Sequence, residues 1–334
     1  MKYRSLGIAG TAKNTGKTTA MAAVLSGLRK LEPNACLAIT SIGYDGEYLD
    51  NITGLPKPRV EMREGDLAAV AKGCLKYSRA KLDILEDSGL MSAMGPILIG
   101  RVKKAGKLVI AGPNKKVEVR QILDRLSDLG SSLTIVDGAL GRIVPMCEVD
   151  SLILSTGASR HADIERLAEE TKYIDGILSL PKFDQPEAEV PAVLGNEDYD
   201  RLTAALAAND SVLVHGLVGF TCLERLAHEA NAFVDKTLVM DSPMALLPIG
   251  EILETGRLLG GLREQGLKLA TARPVRLIAV TVNPYYPKYR YNRQDYEPEY
   301  VDKAALLEAI SHVTSAPVFD VVGQGAESLL ELLR

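Results

Sequence analysis

A short run of small residues near the start of the chain combines a lysine and a hydroxyl residue at a spacing that can bind phosphate. The run GIAGTAKNTGKTT follows an apolar, strand-like stretch and ends in Gly16, Lys17, Thr18 and Thr19. A helix is predicted to begin at the Gly-Lys pair, because apolar residues then recur at three- and four-residue intervals. Backbone N–H groups at such a helix start attract anions, helped by the helix dipole. The indicated chemistry is the binding of a nucleotide's phosphate groups.

The residue types in this loop predict a role for its lysine and for the hydroxyl residue beside it. Lys17 is expected to bridge the β- and γ-phosphates of ATP, and the Thr18 hydroxyl to take a coordination position of Mg²⁺. The backbone of residues 13–18 is expected to cradle the β-phosphate. The loop residues that we expect to bind nucleotide are Gly10, Thr11, Lys13, Asn14, Thr15, Gly16, Lys17, Thr18 and Thr19.

The glycine spacing distinguishes this loop from the usual P-loop, in which four residues separate the first glycine from the Gly-Lys pair. Here residues 11–15 separate Gly10 from Gly16, so that Thr11 occupies the standard glycine position. The longer form resembles the dethiobiotin synthetase and cobyrinate amidotransferase branch of P-loop proteins. Related partitioning ATPases of the MinD kind carry a further lysine five positions before the P-loop lysine. That position is Ala12 here, so a mechanism that depends on this signature lysine is not expected.

Acidic residues follow two predicted strands, where a metal ion would be held. Asp137 ends the buried run LTIVD, which is the position of a Walker B acid that holds Mg²⁺ through a water. Asp45 and Glu47 follow the run LAITSIG, and ligands of α/β proteins bind at the carboxyl ends of parallel strands. The alternative is that these acids only shape turns. The predicted metal ligands are Thr18, Asp45 and Asp137, and the predicted catalytic residues are Lys17, Asp45 and Asp137.

A tyrosine-rich segment near the end of the chain follows a late predicted strand. Asn283 at its start is expected to recognise the nucleobase, because base-binding loops of P-loop folds often lie there. The tyrosines of residues 285–300 are interleaved with Arg and Lys, which suits a protein interface or a lid. A long surface loop packed by its own aromatics is the alternative. The four histidines show no metal-ligand spacing.

Strand-like runs alternate with helical periodicity through almost the whole chain. This alternation predicts an α/β fold with a doubly wound, mostly parallel sheet: a P-loop NTPase with a C-terminal α/β extension or second lobe. A helix is predicted from about residue 66 to residue 90. The proline-rich piece at 180–193 suggests a P-loop region at 1–180 and a C-terminal α/β region at 181–334. The same alternation on both sides of this boundary also fits one continuous sheet.

The composition narrows the class of protein. The chain has 334 residues, a formal net charge of −4 and no long basic run, which argues against nucleic-acid binding. Its four cysteines are scattered, without a C-x-x-C pair, and indicate buried, reduced thiols. No stretch has the length and apolarity of a membrane span, and the N-terminus lacks the apolar region of a signal peptide. We therefore expect a soluble, cytoplasmic protein without a membrane partner.

Four strings together resemble a more specific group, the ATPase subunit of the reactivating factor for lysine 5,6-aminomutase, which is an adenosylcobalamin-dependent radical enzyme. The strings are GIAGTAKNTGKTT, TSIGYDGEYLDNITGLPKP, KLVIAGPNKK and IVDGALGRIVPM. The likeness covers roughly the first half of the chain, and the stretch from Tyr44 to Pro58 is its most specific part.

This resemblance implies an ATP- and Mg²⁺-dependent chaperone. It would act with a second reactivase subunit to release damaged cobalamin from the inactivated aminomutase. Lys17, Thr18, Asp137 and Asp45 carry over as nucleotide and metal residues, and the family pattern assigns no cobalamin ligand to this chain.

The residues alone leave other functions open. One alternative is an ATP-dependent ligase or kinase of the dethiobiotin synthetase type, which activates a carboxyl or carbamate group. Another is a regulator that senses nucleotide without appreciable turnover. The choice between ATP and GTP also stays open, because the absence of the guanine-reading N-K-x-D string does not decide it. A homo-oligomer is compatible with each of these functions.

Overall fold

The computed structural model describes residues 1–43, 60–293 and 295–334. These residues divide into two compact units. Unit 1 comprises Met1–Ala168 and Leu277–Arg334, and unit 2 comprises Glu169–Arg276. The chain therefore leaves the first unit and later returns to it. This division differs from the predicted one, in which all residues from 181 to 334 formed a C-terminal region.

The strands alternate with helices along most of the chain. In the described residues the strands are β1 (Ser5–Gly10), β2 (Leu37–Ser41), β3 (Val60–Met62), β4 (Leu67–Ala71), β5 (Lys81–Ser92), β6 (Gly95–Lys104), β7 (Gly106–Leu108), β8 (Leu133–Ala139), β9 (Ser151–Gly157), β10 (Ala188–Val193), β11 (Ser211–Val218), β12 (Thr237–Met240), β13 (Lys268–Thr271), β14 (Leu277–Asn283), β15 (Tyr285–Arg290), β16 (Asp295–Tyr300) and β17 (Val318–Phe319). The α-helices of the same residues are α1 (Lys17–Leu31), α2 (Lys72–Leu75), α3 (Lys116–Asp128), α4 (Ile164–Leu178), α5 (Asn196–Ala208), α6 (Phe220–Glu229), α7 (Ile252–Glu264), α8 (Lys303–Val313) and α9 (Glu327–Glu331).

A large sheet forms the frame of unit 1. Among the described residues it has nine strands in the order β17-β14-β9-β1-β8-β2-β4-β6-β5. The strands from β17 to β4 are all parallel, and β6 and β5 extend the edge in antiparallel fashion. The loop strand β1 lies between β9 and β8, so the carboxyl ends of these three strands meet at one edge of the sheet. Ligands of parallel α/β sheets bind at such an edge.

Helices cover both faces of this sheet. The apolar side of α1, including Val24 and Leu28, packs with Ile8 and Ile39 on one face. On the other face, Ile122 and Leu126 of α3 pack with sheet residues that include Ala38 and Leu67. Neighbouring residues of β2 thus point to opposite helical layers, as the two-residue period of a strand requires. The predicted α/β fold with a doubly wound, mostly parallel sheet is confirmed.

The helix predicted from about residue 66 to residue 90 is wrong. That stretch forms β4, the short helix α2 and the twelve-residue strand β5. β4 is buried throughout, and a buried strand cannot be told from a buried helix by periodicity alone. β5 is the outermost strand, and from Leu85 to Ser92 exposed and half-buried residues alternate along it. Most of these half-buried residues are polar, so the sequence lacks the apolar alternation that would predict a strand. Its pairing with β6 determines its conformation, and this pairing is not a local property.

Unit 2 has its own sheet, which in the described residues has four parallel strands in the order β10-β11-β12-β13. Leu213, Val239 and Ala270 of neighbouring strands pack together with Phe183 on one side of it. β10 lies inside the proline-rich piece at 180–193 that suggested a domain boundary. That piece therefore contributes the first strand of the second sheet.

No helix of the described residues has both the length and the apolarity that crossing a membrane would require.

The cysteines differ in the reactivity that we expect of their thiols. Cys74 is fully buried, and burial raises its pKa to about 11, whereas Cys36 is half-buried. At about pH 8 the Cys74 thiolate fraction is then on the order of one in a thousand. We expect Cys36 to react with an alkylating reagent first and Cys74 only after unfolding, as measured by mass spectrometry of timed samples. Labelling of native Cys74 as fast as Cys36 would contradict this burial.

Candidate functional site

The predicted phosphate-binding loop lies between the buried strand β1 and helix α1. Residues 11–16 connect the two elements, and α1 begins at Lys17 as the sequence predicts. Two loop residues have left-handed backbone conformations, Asn14 with a φ of 61° and Gly16 with a φ of 90°. Glycine adopts this region without penalty, and asparagine is among the residues that tolerate it. The loop thus contains two left-handed residues, and such residues occur in anion-binding backbone nests.

The hydroxyl groups of Thr11 and Thr15 hold the loop in shape. Thr11 donates its backbone N–H to the Ser155 carbonyl at 2.9 Å and its hydroxyl to Thr156 at 3.2 Å, which ties the loop to the end of β9. The Thr15 hydroxyl donates to the Ala12 carbonyl at 3.0 Å. Both threonine side chains are buried. We therefore expect these two residues to contact a nucleotide through their backbone atoms.

The start of α1 has the features of an anion-binding end. Its first turn contains no acidic residue, and within the described part of the chain no side chain caps the Gly16 position. The first N–H groups of a helix need such a partner, and a phosphate can supply it. Thr18 is half-buried in this turn, while Lys13 and Thr19 are exposed.

The structure brings together Lys17 and Asp137, which are 120 residues apart in sequence. β8 lies beside β1, with Asp137 in register with Ile8. The Lys17 ammonium lies 3.0 Å from one carboxylate oxygen of Asp137 and 3.1 Å from the other. Both side chains keep about a fifth of their surface exposed, so a ligand can reach them. A cationic and an anionic group are therefore positioned together at the open side of the loop.

The donor set fits a P-loop magnesium site. Such a site takes one hydroxyl and one carboxylate from the protein and the remaining oxygens from phosphate and water. Thr18 and Asp137 supply these two groups, and in the described residues no cluster of three or more His, Cys, Asp or Glu side chains offers an all-protein metal site. The predicted ligand Asp45, and Glu47 beside it, lie outside the described residues. Their part in the site stays a prediction.

Asn283, predicted to recognise the nucleobase, lies directly against the loop. It is the last residue of β14, and its Nδ2 donates to the Asn14 carbonyl at 2.7 Å. Its Oδ1 accepts the backbone N–H of Tyr285 at 3.2 Å. The side-chain amide is thus engaged on both sides by this chain's own backbone. Base recognition stays a prediction, and the contact with the loop is one that sequence reasoning missed, since no local pattern signals it.

A cavity of about 470 Å³ lies beside the strand that carries Asp137. The described residues that line it include Ile42, Asn114 and Arg142. Ile42 donates its N–H to the Asp137 carbonyl at 2.7 Å, which places the cavity next to the loop site. Sequence reasoning did not single out Arg142. The position of Arg142 in the turn after the Asp137 strand was the available signal.

Replacing Gly16 by alanine is expected to damage the loop more than strain alone explains. A Cβ there would lie 3.2 Å from the Asn283 Cβ, in addition to the left-handed strain of about 1–2 kcal/mol. Gly130 is a matched control, because it has the same φ of 90° but open space around it. We expect Gly16→Ala to lower the free energy of unfolding in urea by more than Gly130→Ala does. Equal losses would show that Asn283 does not pack against the loop.

Comparisons with known proteins add little to this geometry. No protein-family model matches the sequence, and no curated protein does so either. Among solved structures, the chain matches the MinC:MinD cell division protein complex of Aquifex aeolicus with 13% identity and a TM-score of 0.26, over 77% of this chain and 96% of that one. A similarity this distant carries no argument about the site. The α/β class therefore rests on the strand order and on the two helical layers.

Proposed function

We propose that this protein is a Mg²⁺-dependent P-loop ATPase. The observation that carries the proposal is the pairing of Lys17 with Asp137 at the mouth of a loop whose helix end lacks an acidic residue. Each of the two residues is positioned for one part of a Mg·ATP complex: the lysine for the phosphates, and the carboxylate for the metal.

Binding of ATP exchanges partners within this pair. A triphosphate carries more negative charge than one carboxylate. Lys17 would therefore leave Asp137 and bind the β- and γ-phosphates. Asp137 and Thr18 would then be the residues that hold Mg²⁺. Mg²⁺, when bound, neutralises charge on the phosphate oxygens. The loop N–H groups and the start of α1 would bind the same phosphates.

We further propose that hydrolysis serves a protein partner, as in the reactivating factor that the sequence resembles. In that role the two nucleotide states differ in their affinity for the partner, and this difference allows hydrolysis to do work on it. The partners would be a second reactivase subunit and a cobalamin-dependent aminomutase, from which damaged cobalamin is released. The support for this role is the sequence resemblance, whose most specific stretch lies outside the described residues.

Rates of ADP formation test both levels of the proposal. Purified protein is incubated with Mg·ATP alone, and then with lysine 5,6-aminomutase inactivated by turnover, with and without the second reactivase subunit. We expect slow basal hydrolysis, stimulation by the inactivated mutase, and recovery of mutase activity once intact cofactor is added. Hydrolysis without stimulation or recovery would remove the reactivase role and leave the ATPase in place.

The cavity beside Asp137 supports a second candidate, an ATP-dependent ligase or kinase. Its volume suits a small acceptor, and Arg142 and Asn114 offer donors for a carboxylate or carbonyl oxygen. A ligase forms ADP rapidly only when its acceptor is present. Stimulation by a small carboxylic acid or amine from a substrate panel, and not by protein, would favour this candidate.

A further inference from the structure

Asn283 connects two parts of unit 1 that are separated by 269 residues of sequence. Its amide donates to the Asn14 carbonyl and accepts the N–H of Tyr285, at 2.7 and 3.2 Å. Its Cβ packs on the loop as well, since a Cβ added at Gly16 would lie 3.2 Å from it. One side chain therefore contacts the loop at two points and also holds the first residue of β15.

Asn283 contacts a loop residue, Asn14, whose position we expect to depend on what the loop binds. Asn14 has a φ of 61°, a left-handed conformation that asparagine adopts more readily than most non-glycine residues. Its carbonyl belongs to the same peptide unit as the N–H of Thr15, which lies in the stretch of backbone that is expected to cradle the β-phosphate. When that N–H is drawn toward a phosphate, the planar peptide turns its carbonyl with it. The hydrogen bond from Asn283 then has to follow or break.

Beyond Asn283 the chain forms a two-stranded antiparallel sheet, β15–β16, with two chemically different faces. The register places tyrosines and prolines on one face, which we call the aromatic face: Tyr285, Pro287, Tyr289, Tyr296, Pro298 and Tyr300. Tyr289 and Tyr296 meet edge to face with centroids 5.0 Å apart. On the opposite face, Arg290 pairs with Asp295 and Glu297, and Lys288 pairs with Glu299. The charged side chains of this face are thus paired within the hairpin, while Tyr300 on the aromatic face is 64% exposed.

The hairpin is built to present its faces and not its edges. Pro287 and Pro298 stand opposite each other in the register, and neither has an N–H to donate. Prolines at the middle of both outer edges prevent another strand from pairing there. At the base, the Ser159 hydroxyl donates to the Tyr285 carbonyl at 2.9 Å, and Val301 N–H donates to the Pro284 carbonyl at 3.0 Å. A shift at Tyr285 is therefore expected to move the hairpin as a unit.

We propose that Asn283 is a positioning residue that transmits the nucleotide state of the loop to the hairpin, so that the aromatic face is presented differently with and without bound ATP. This rests on the proposed function, in which the loop binds Mg·ATP. The coupling would let the nucleotide state act on a protein partner. An ATPase of this kind needs a surface whose position depends on nucleotide, and the exposed aromatic face would be that surface.

A single tryptophan reports on the hairpin without background, because the chain contains no tryptophan. Tyr291 at the hairpin turn is 88% exposed, so Tyr291→Trp places the reporter there with little disturbance. We expect Mg·ATP to change the reporter's emission with the same midpoint as nucleotide binding measured by calorimetry. Nucleotide binding without a change in emission would overturn the coupling and leave the proposed function standing. Absence of any nucleotide binding would overturn both.

Asn283→Ala in the reporter protein tests the link itself. The substitution keeps the Cβ that packs on Gly16 and removes only the amide. We expect nucleotide binding to weaken about fivefold, the equivalent of one hydrogen bond, and the emission change at saturating ATP to be lost. Asn292→Ala, in the exposed turn of the same hairpin, is the control and should retain the full emission change. An Asn283→Ala reporter that responds like its parent at saturation would overturn the proposal.

Discussion

Replacing Lys17 by alanine is expected to lower ATP turnover by about hundredfold or more while leaving the fold intact. The ammonium is the cation that the structure places at the mouth of the loop, 3.0 Å from Asp137. In the alanine variant the transition state would lack the contact between this ammonium and the β- and γ-phosphates. One such charged contact is worth about 3 kcal/mol or more. The measurement is initial ADP formation at saturating Mg·ATP, together with calorimetric ATP binding.

The control for this substitution lies on the same helix. Lys30 is in the last turn of α1 and is exposed, so Lys30→Ala changes the net charge equally without touching the loop. It should retain parental turnover. The Lys17 side chain is 23% exposed, so its removal is expected to lower stability by less than the loss of a partner from a fully buried ion pair would. Parental turnover in Lys17→Ala would eliminate the loop as the hydrolytic site, and a large loss of stability would mean that the ion pair is structural.

The loop could be predicted from sequence because its determinants are local. Residues 5–31 contain, in order, a buried strand, small residues, a Gly-Lys-Thr and an amphipathic helix. Each of these segments specifies its own conformation. The proximity of Lys17 to Asp137 followed from one further rule, that parallel strands end at a common edge of the sheet. Both inferences needed no knowledge of which distant residues touch.

The features that sequence reasoning missed depend on contacts between distant segments. The half-buried positions in the second half of strand β5 are mostly polar, so no apolar alternation predicts the strand, and its pairing with β6 determines its conformation. The return of the chain to unit 1 depends on the pairing of β14 with β9, two strands that are separated in sequence by all of unit 2. Asn283 lies at the end of that returning strand, so its contact with Asn14 could not be predicted before the pairing was known. The residues that couple distant segments are the ones that a local pattern does not reveal.

The buried ion pair between Arg29 and Asp66 is expected to have the largest effect on stability. Arg29 on α1 and Asp66 just before β4 are 8% and 6% exposed, and their closest atoms are 2.5 Å apart. The same arginine donates to the Glu61 carbonyl at 3.0 Å, and the aspartate accepts the Arg63 N–H at 2.8 Å. Removing one partner leaves a buried charge without compensation. Asp66→Ala should therefore lower the free energy of unfolding by about 3–5 kcal/mol.

A loss of this size is a large fraction of the roughly 5–15 kcal/mol that stabilises a typical domain. It is measured by urea unfolding combined with hydrogen exchange on peptides of unit 1, with Asp83→Ala, which removes an exposed carboxylate on β5, as the control.

Replacing both partners by apolar residues, as in Arg29→Met with Asp66→Leu, should recover most of the loss, because no unpaired charge then remains buried. If the double variant is as unstable as Asp66→Ala, the hydrogen bonds from Arg29 to Glu61 and from Arg63 to Asp66 stabilise this region, and the charges do not. Recovery would show that the pair is costly to break without being needed for the fold, and that α1, which carries the nucleotide loop, is held on the sheet chiefly by its apolar face.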